Sequence, residues 1–279
     1  MSTKPASVAA LTAAALALGL GLTACGPRSS NGGNFVAVPA PSSPAPSAST
    51  PSSTVSTAPT GPTATSPTTP STAPSVSPSP THVGLAMGDK GPQVLALQKR
   101  LTQLGFWLSG ADGSYGDTTQ QAVLAFQKAK GLERDGVAGP QTMKAIETGV
   151  TIAPHSTSGH VLEVDKTHQL LLIVNNGKIA GILNTSTGSG QAYQQGGQTY
   201  TALTPSGQFS IFRQVDADDP GPLGDLWRPK YFNGGIAIHG APVVPGYPAS
   251  HGCARLSNAA IDWIWSADLA PIGTSVWVY

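Results

Sequence analysis

Leu170-Leu171-Leu172-Ile173-Val174-Asn175-Asn176-Gly177 is a run of five aliphatic residues closed by Asn-Asn-Gly, the residue types of a tight hairpin turn. Similar short runs lie on both sides of it: Val161-Leu162-Glu163-Val164, Phe209-Ser210-Ile211-Phe212 and Gly235-Ile236-Ala237-Ile238, separated by clusters of Gly, Asn, Asp and Pro. Together they predict a mostly β domain in the C-terminal part of the chain. One helix is expected near Asn258 to Trp265, behind Ser257 as N-cap. About 120 residues suffice for one hydrophobic core.

Upstream the apolar period changes. Val94, Leu97, Leu101 and Leu104 recur at helical spacing, as do Val123, Phe126 and Ala129. The chain also repeats itself. Asp112-Gly113-Ser114-Tyr115-Gly116-Asp117-Thr118-Thr119-Gln120-Gln121-Ala122-Val123 aligns with Asp135-Gly136-Val137-Ala138-Gly139-Pro140-Gln141-Thr142-Met143-Lys144-Ala145-Ile146, the shared pattern being DGxxGxxTxxA and an aliphatic. In each copy a Gly turn opens a helix, with Pro140 suited to a first turn and Asp117 to the positive helix end. Three short helices sharing one small core follow from this pattern.

The remaining third has another composition. Of 25 Pro in 279 residues, 13 fall between Pro27 and Pro80, and no Asp, Glu, Lys or Arg stands between Arg28 and Asp89. A segment of Pro, Ser, Thr and Ala cannot bury enough apolar surface to offset the entropy of ordering, so a disordered tether is expected there. A glycosylated stalk with no distance role fits the same composition. Residues 8–22 are an apolar run behind Lys4, the order of a secretory signal, and too short for a bilayer span of about 20 residues. The run ends in Leu22-Thr23-Ala24-Cys25, which resembles the lipobox of bacterial lipoproteins; the resemblance implies a diacylglycerol thioether on Cys25 and attachment to the outer face of the cell membrane, while an ordinary secretory signal with an incidental Cys stays open. The formal net charge of +1 is divided so that no segment is basic enough to suggest nucleic acid, and no nucleic-acid partner is expected. Two Cys exclude a disulfide scaffold and a Cys-rich zinc fold.

Chemistry concentrates in Ile238-His239-Gly240 and Ser250-His251-Gly252-Cys253-Ala254-Arg255. A thiol attacks as thiolate, and an imidazole lowers its pKa or takes its proton; His239 and His251 are both available. The Gly252 and Cys253 N–H groups suit a developing oxyanion, and Arg255 suits a carboxylate. From these residues alone other assignments stay open: His239 as a structural histidine, Arg255 as a surface charge, and His239, His251 and Cys253 as a zinc site. His-x-Cys is an uncommon ligand spacing, and no fourth ligand is obvious. The acyl-transfer reading needs no cofactor and no metal.

Residues 159–279 resemble the catalytic domain of bacterial L,D-transpeptidases. The resemblance rests on His239-Gly240, on Ser250-His251-Gly252-Cys253-Ala254-Arg255 and on Thr204-Pro205-Ser206-Gly207-Gln208-Phe209. It implies a β-sandwich with one helix, and 3→3 cross-linking of peptidoglycan stem peptides, donor and acceptor, through a thioester. Carried over, Cys253 is the nucleophile, His239 the base, the Gly240 carbonyl its orienting partner, and the Gly252 and Cys253 amides part of the oxyanion hole. His251 orients substrate or supports the hole, and Ser250, Gly252 and Arg255 face the substrate. The loop from His239 to Ser250 is shorter than in many members. The alternatives are an L,D-carboxypeptidase using water as acceptor and an inactive wall-binding lipoprotein.

Gly88-x-x-Gly91-x-x-Val94, Leu97-Gln98, Phe126-Gln127 and Asp135-Gly136 resemble the peptidoglycan-binding domain of wall enzymes. The resemblance implies binding of glycan or stem peptide by a module that tethers without touching the chemistry; a spacer role stays open. The expected organisation is a lipoprotein signal at 1–24, a linker at 25–82, the peptidoglycan-binding domain at 83–149 and the catalytic domain at 159–279. Finally, Asp216-Ala217-Asp218-Asp219 through Trp227-Arg228-Pro229-Lys230-Tyr231-Phe232 read as a loop. In a functional version of that reading, Tyr231 is the lid over the bound stem, hinged at Asn233-Gly234-Gly235.

Overall fold

A computed structural model describes residues 83–279. The signal, Cys25 and the tether at 25–82 lie outside the described residues. Three helices come first: α1 (Pro92–Gln103), α2 (Asp117–Lys130) and α3 (Pro140–Thr148). The strands follow as β1 (His160–Asp165), β2 (Leu170–Asn175), β3 (Lys178–Asn184), β4 (Ala192–Gln195), β5 (Gln198–Thr201), β6 (Gly207–Ser210), β7 (Arg213–Gln214), β8 (Asp218–Asp219), β9 (Leu226–Asn233), β10 (Ile236–Ala241) and β11 (Ala254–Ser257). Helix α4 (Asn258–Ser266) and strand β12 (Ser275–Val278) complete the described residues. The first sheet runs β3-β2-β1-β12-β6, the second β11-β10-β9-β7 with β8 also on β9, and β4-β5 is a separate hairpin.

The helical domain is built twice from one polar bracket. Gln98 Nε2 donates to Asp112 Oδ1, Ser114 O and Thr119 Oγ1, while Gly113 N donates to Gln98 Oε1. Gln127 repeats this with Asp135 Oδ1, Val137 O, Thr142 Oγ1 and Gly136 N. Both glutamines are buried, so each amide must be saturated, and each DG turn turns its backbone toward that amide. The glycines at Gly113 and Gly136 hold φ of 77° and 68°, which explains the DG of the repeat. Pro140 starts α3 and Asp117 lies in the first turn of α2.

The expectation of a helical core of its own needs correction. Val94, Leu97, Leu101, Val123, Phe126 and Ile146 form one cluster with Leu170, Leu172, Val174 and Ile182 of the first sheet. The odd residues of β2, Leu171 and Ile173, face the other way into a second core with Ile238, Leu256, Ile261 and Val276. An unbroken aliphatic run is what a strand covered on both faces requires. The covers here are the helices on one side and the second sheet with α4 on the other. The chain before α2 also reaches the sheet directly: Trp107 N donates to Ile182 O, Ile182 N to Gly105 O, and Trp107 stacks on Trp263 of α4.

Two further differences concern loops. Residues 226–233 are strand β9, paired with β10 on one side and β7 and β8 on the other, so the expected lid is a wall. Tyr231 is buried; its hydroxyl donates to Asp219 Oδ2 at 2.7 Å and Arg213 lies 4.6 Å over its ring. The charged and Pro-containing run concealed the strand, because Arg228 and Lys230 lie over the Trp265 ring instead of pointing to solvent. The hairpin β4-β5 was unexpected as well, although Gly196-Gly197 between two alternating runs is a hairpin signal. By contrast, Asn175↔Lys178 pairing with Asn176 and Gly177 at φ of 48° and 74° is the expected turn. Ser257 caps α4 by accepting from Ala260 N.

Candidate active site

Strands β10 and β11 run parallel with Ile238↔Ala254 and His239↔Arg255 in register. This register carries Cys253 alongside Ala237, whose N–H points at Sγ from 3.5 Å. Residues two apart share a strand face, so the thiol and the His239 ring open onto one cavity of about 620 Å³, which both line.

Gly240 follows His239 for a steric reason. A Cβ there would stand 2.7 Å from Asn258 Oδ1, Ile261 Cγ2 and Trp227 Cδ1, so only glycine lets α4 and Trp227 close on the strand. The held backbone presents its carbonyl to the ring, and His239 Nδ1 donates to Gly240 O at 2.8 Å. That fixes the tautomer and leaves Nε2 as an acceptor. Burial lowers the His239 pKa to about 4, outweighing the Gly240 bond, with a smaller push from Arg255. Burial also raises the Cys253 thiol, against the Ala237 N–H. Both groups rest neutral near pH 7, so the pair is not a preformed thiolate–imidazolium.

The turn before the thiol is braced from inside. Ser250 Oγ donates to Cys253 O at 2.6 Å and accepts from Gly252 N at 3.0 Å. The hydroxyl is thus spent on the loop, and the Gly252 N–H is spent on the hydroxyl; the Cys253 N–H is the remaining member of the expected amide pair. Gly252 sits at φ +145°, and a Cβ added there would stand 2.9 Å from Leu203 O. Thr204 Oγ1 donates to Gly252 O at 2.6 Å and accepts from Gly188 N at 2.9 Å. Sequence reasoning gave Thr204 no role. Its signal was the Thr-Pro-x-Gly-x-Phe motif, whose first residue ties the 202–204 segment to the turn before Cys253.

His251 is exposed at the cavity rim, edge-on to Tyr193 at 4.8 Å. Arg255 lines the cavity and donates to Ala249 O at 3.2 Å. Arg213, held to Asp219 at 2.9 Å, and Tyr231 form the opposite wall. Sequence reasoning missed Tyr193 and Arg213, because they come from the unforeseen hairpin and a short strand, and it placed Asp219 only in a loop. Among the described residues no group of three His, Cys, Asp or Glu side chains is placed to hold a metal ion. Nor is any described helix long and apolar enough to cross a membrane.

Comparison with known proteins agrees with this geometry. Residues 159–278 match the L,D-transpeptidase catalytic domain model, and residues 90–146 match that of the peptidoglycan-binding domain. The crystal structure of an L,D-transpeptidase from Xylanimonas cellulosilytica is 50% identical, with a TM-score of 0.68, over 72% of this chain and all of that one. The chain belongs to the L,D-transpeptidase family. The curated relatives share only the helical part. N-acetylmuramoyl-L-alanine amidase CwlL of Bacillus licheniformis is 51% identical over 79 residues, 27% of this chain and 22% of that protein. The zinc D-Ala-D-Ala carboxypeptidase of Streptomyces albus G is 42% identical over 66 residues, 22% of this chain and 25% of that protein. The chain thus spans about a quarter or less of these relatives, and the likeness lies in the peptidoglycan-binding domain of this L,D-transpeptidase family member.

Proposed function

We propose that the chain is a peptidoglycan L,D-transpeptidase that forms 3→3 cross-links through a Cys253 thioester. The observation that carries the reading is the His239 ring, neutral by burial, oriented by Gly240 O and sharing a cavity with a neutral Cys253 thiol. His239 Nε2 takes the thiol proton as Sγ bonds to the carbonyl carbon of the donor stem. The oxyanion forms against the Cys253 N–H. Collapse breaks the C–N bond, and His239 returns the proton to the departing D-Ala amine, leaving a thioester. An amine of the acceptor stem then adds to the thioester carbon, His239 takes its proton, and the thiol is released reprotonated. No ATP is needed, since the donor peptide bond supplies the acyl group. Arg255 and Arg213 give the cavity two cations for stem carboxylates, and His251 at the rim meets the incoming stem.

The same reading places the protein outside the cytoplasm, anchored by lipid on Cys25 and reaching the wall by the tether. Leu22-Thr23-Ala24-Cys25 supports the anchor, and the diacylglyceryl group's two chains supply the hold that one chain lacks. Cys253→Ala should lower D-Ala release and dimer formation by roughly 10³-fold or more while the fold survives. Mass analysis of muropeptides after incubation decides: cross-linked dimer supports transfer, tripeptide alone supports the carboxypeptidase. Activity lost to EDTA but spared by iodoacetamide would sink the cysteine mechanism.

A further inference from the structure

Lys128 sits on α2 of the helical domain with no exposed surface. Its Nζ donates to Gln169 O at 3.0 Å, Thr185 O at 2.7 Å and Asn184 Oδ1. All three acceptors belong to the catalytic domain and none is charged. An ammonium buried among neutral acceptors is costly, and burial, helped by Arg134, brings its pKa down to about 7. Three N–H bonds meet three acceptors, so the group is saturated by the Gln169 carbonyl and by the 184–185 segment that pairs with it.

That segment is the backing of the nucleophile loop. Ser186 and Arg255 exchange both backbone bonds, at 3.2 and 3.0 Å, and Thr185 Oγ1 adds a bond to Arg255 O at 2.8 Å. Thr187 O accepts from Ala249 N and Ser250 N, each at 3.0 Å. Gln169, whose carbonyl Lys128 holds, clasps Thr187 through both side-chain atoms and stands at φ 58°, a backbone state that a side-chain-bearing residue keeps only when held. Helix α2 also grips the shortened loop ahead of Ser250. Gln121 Nε2 donates to Val244 O, and Arg134 Nη1, just past the helix, donates to Gly246 O. Lys128, the 184–187 segment and the 249–255 loop are therefore three successive layers, the last ending at Cys253.

We propose that Lys128 is a positioning residue for the acyl-transfer centre: by fixing residues 184–187 from behind, the peptidoglycan-binding domain sets the geometry in which Cys253 attacks. The inference rests on the reading of Cys253 as nucleophile. It gives the helical domain a part in the chemistry besides any grip on the wall.

The test is Lys128→Met in the full chain, with Cys253 titrated by a carbapenem and followed by intact mass. The limiting acylation rate constant should fall about tenfold, as small misplacements of a nucleophile do. The drug concentration for half-maximal rate should stay within about twofold, because the cavity walls are untouched. A merely structural role lowers the fraction of sites labelled and leaves the rate at each remaining site as in the wild type; that outcome overturns the proposal. Should Lys128→Met not fold, Asn184→Ala removes one acceptor and should slow acylation about threefold, an unchanged rate again overturning it. Absence of any Cys253 adduct in the wild-type protein takes down the nucleophile reading and this inference together. A wild-type adduct with unaltered variant rates removes the Lys128 role alone.

Discussion

Gln98 and Gln127 hold equivalent places in the two halves of the helical domain and make equivalent bonds, yet the lysine that follows each meets a different environment. Lys99 is exposed, whereas Lys128 is buried against the catalytic sheet. The bracket around each glutamine is the part of the repeat that makes the fold. The next position is free to differ, and in the second copy it has become the joint to another domain. Sequence symmetry therefore reports what the halves need in common and is silent about which half was recruited.

The comparison breaks most severely if the helical domain is removed. Deleting residues 83–149 uncovers Leu170, Leu172, Val174 and Ile182, each worth roughly 1.5–3 kcal/mol of burial. The remaining chain should fail to give a dispersed amide NMR spectrum or Cys253 acylation. A soluble fragment acylated at the wild-type rate would show that the shared core is dispensable.

Acid separates the two regions next. His239 folds with a pKa of about 4 against 6.5 unfolded, so the unfolded state binds the extra proton between those values. Its neutral state carries no penalty above pH 6.5, and roughly 3 kcal/mol of stability should be lost as the pH falls from 6.5 to 4. Glu163, held below its ordinary value by Ser156, His155 and Tyr279 against the opposing effect of burial, adds a loss at lower pH, as the pH falls through its folded pKa. Urea titrations of the wild type and His239→Gln across this range check the assignment: the variant's curve should be flatter between pH 6.5 and 4, and an identical slope would refute it.

Gln98→Ala and Gln127→Ala each take a buried amide away from the DG turn it brackets, so each should cost about 2 kcal/mol by denaturant melt. Only Gln127→Ala, one residue from Lys128, should also slow Cys253 acylation in the folded fraction. Equal slowing by both would mean that the two halves are coupled to the site alike. The smallest effect is expected at Lys99→Met, within about 0.5 kcal/mol of wild type and with unchanged acylation, as for an ordinary surface change.

Much of this arrangement was legible beforehand. The Asn-Asn-Gly turn, the Ser257 cap and the DG repeats are local chemistry, written in adjacent residues. The His-Gly and Ser-His-Gly-Cys motifs are short and each lies on or beside one strand, so parallel pairing of β10 and β11 was enough to unite them. The joint between domains was harder to see because its partners, Lys128, Gln169 and Asn184, are scattered and individually unremarkable. One signal was present: a five-residue aliphatic run leaves no polar face for solvent, and Leu170 to Val174 thus demanded a cover on each side. Strand β9 was hidden for the opposite reason, its Arg228 and Lys230 being placed over an aromatic ring rather than in water.

The raised Cys253 thiol has a consequence for durability. Peroxide attacks thiolates, and oxidation beyond the sulfenic acid is not reversed by simple thiols. A sulfur that stays protonated until His239 draws its proton toward a seated peptide offers an oxidant little to react with between turnovers. On the proposed mechanism, burial that delays the thiol thereby protects it between turnovers.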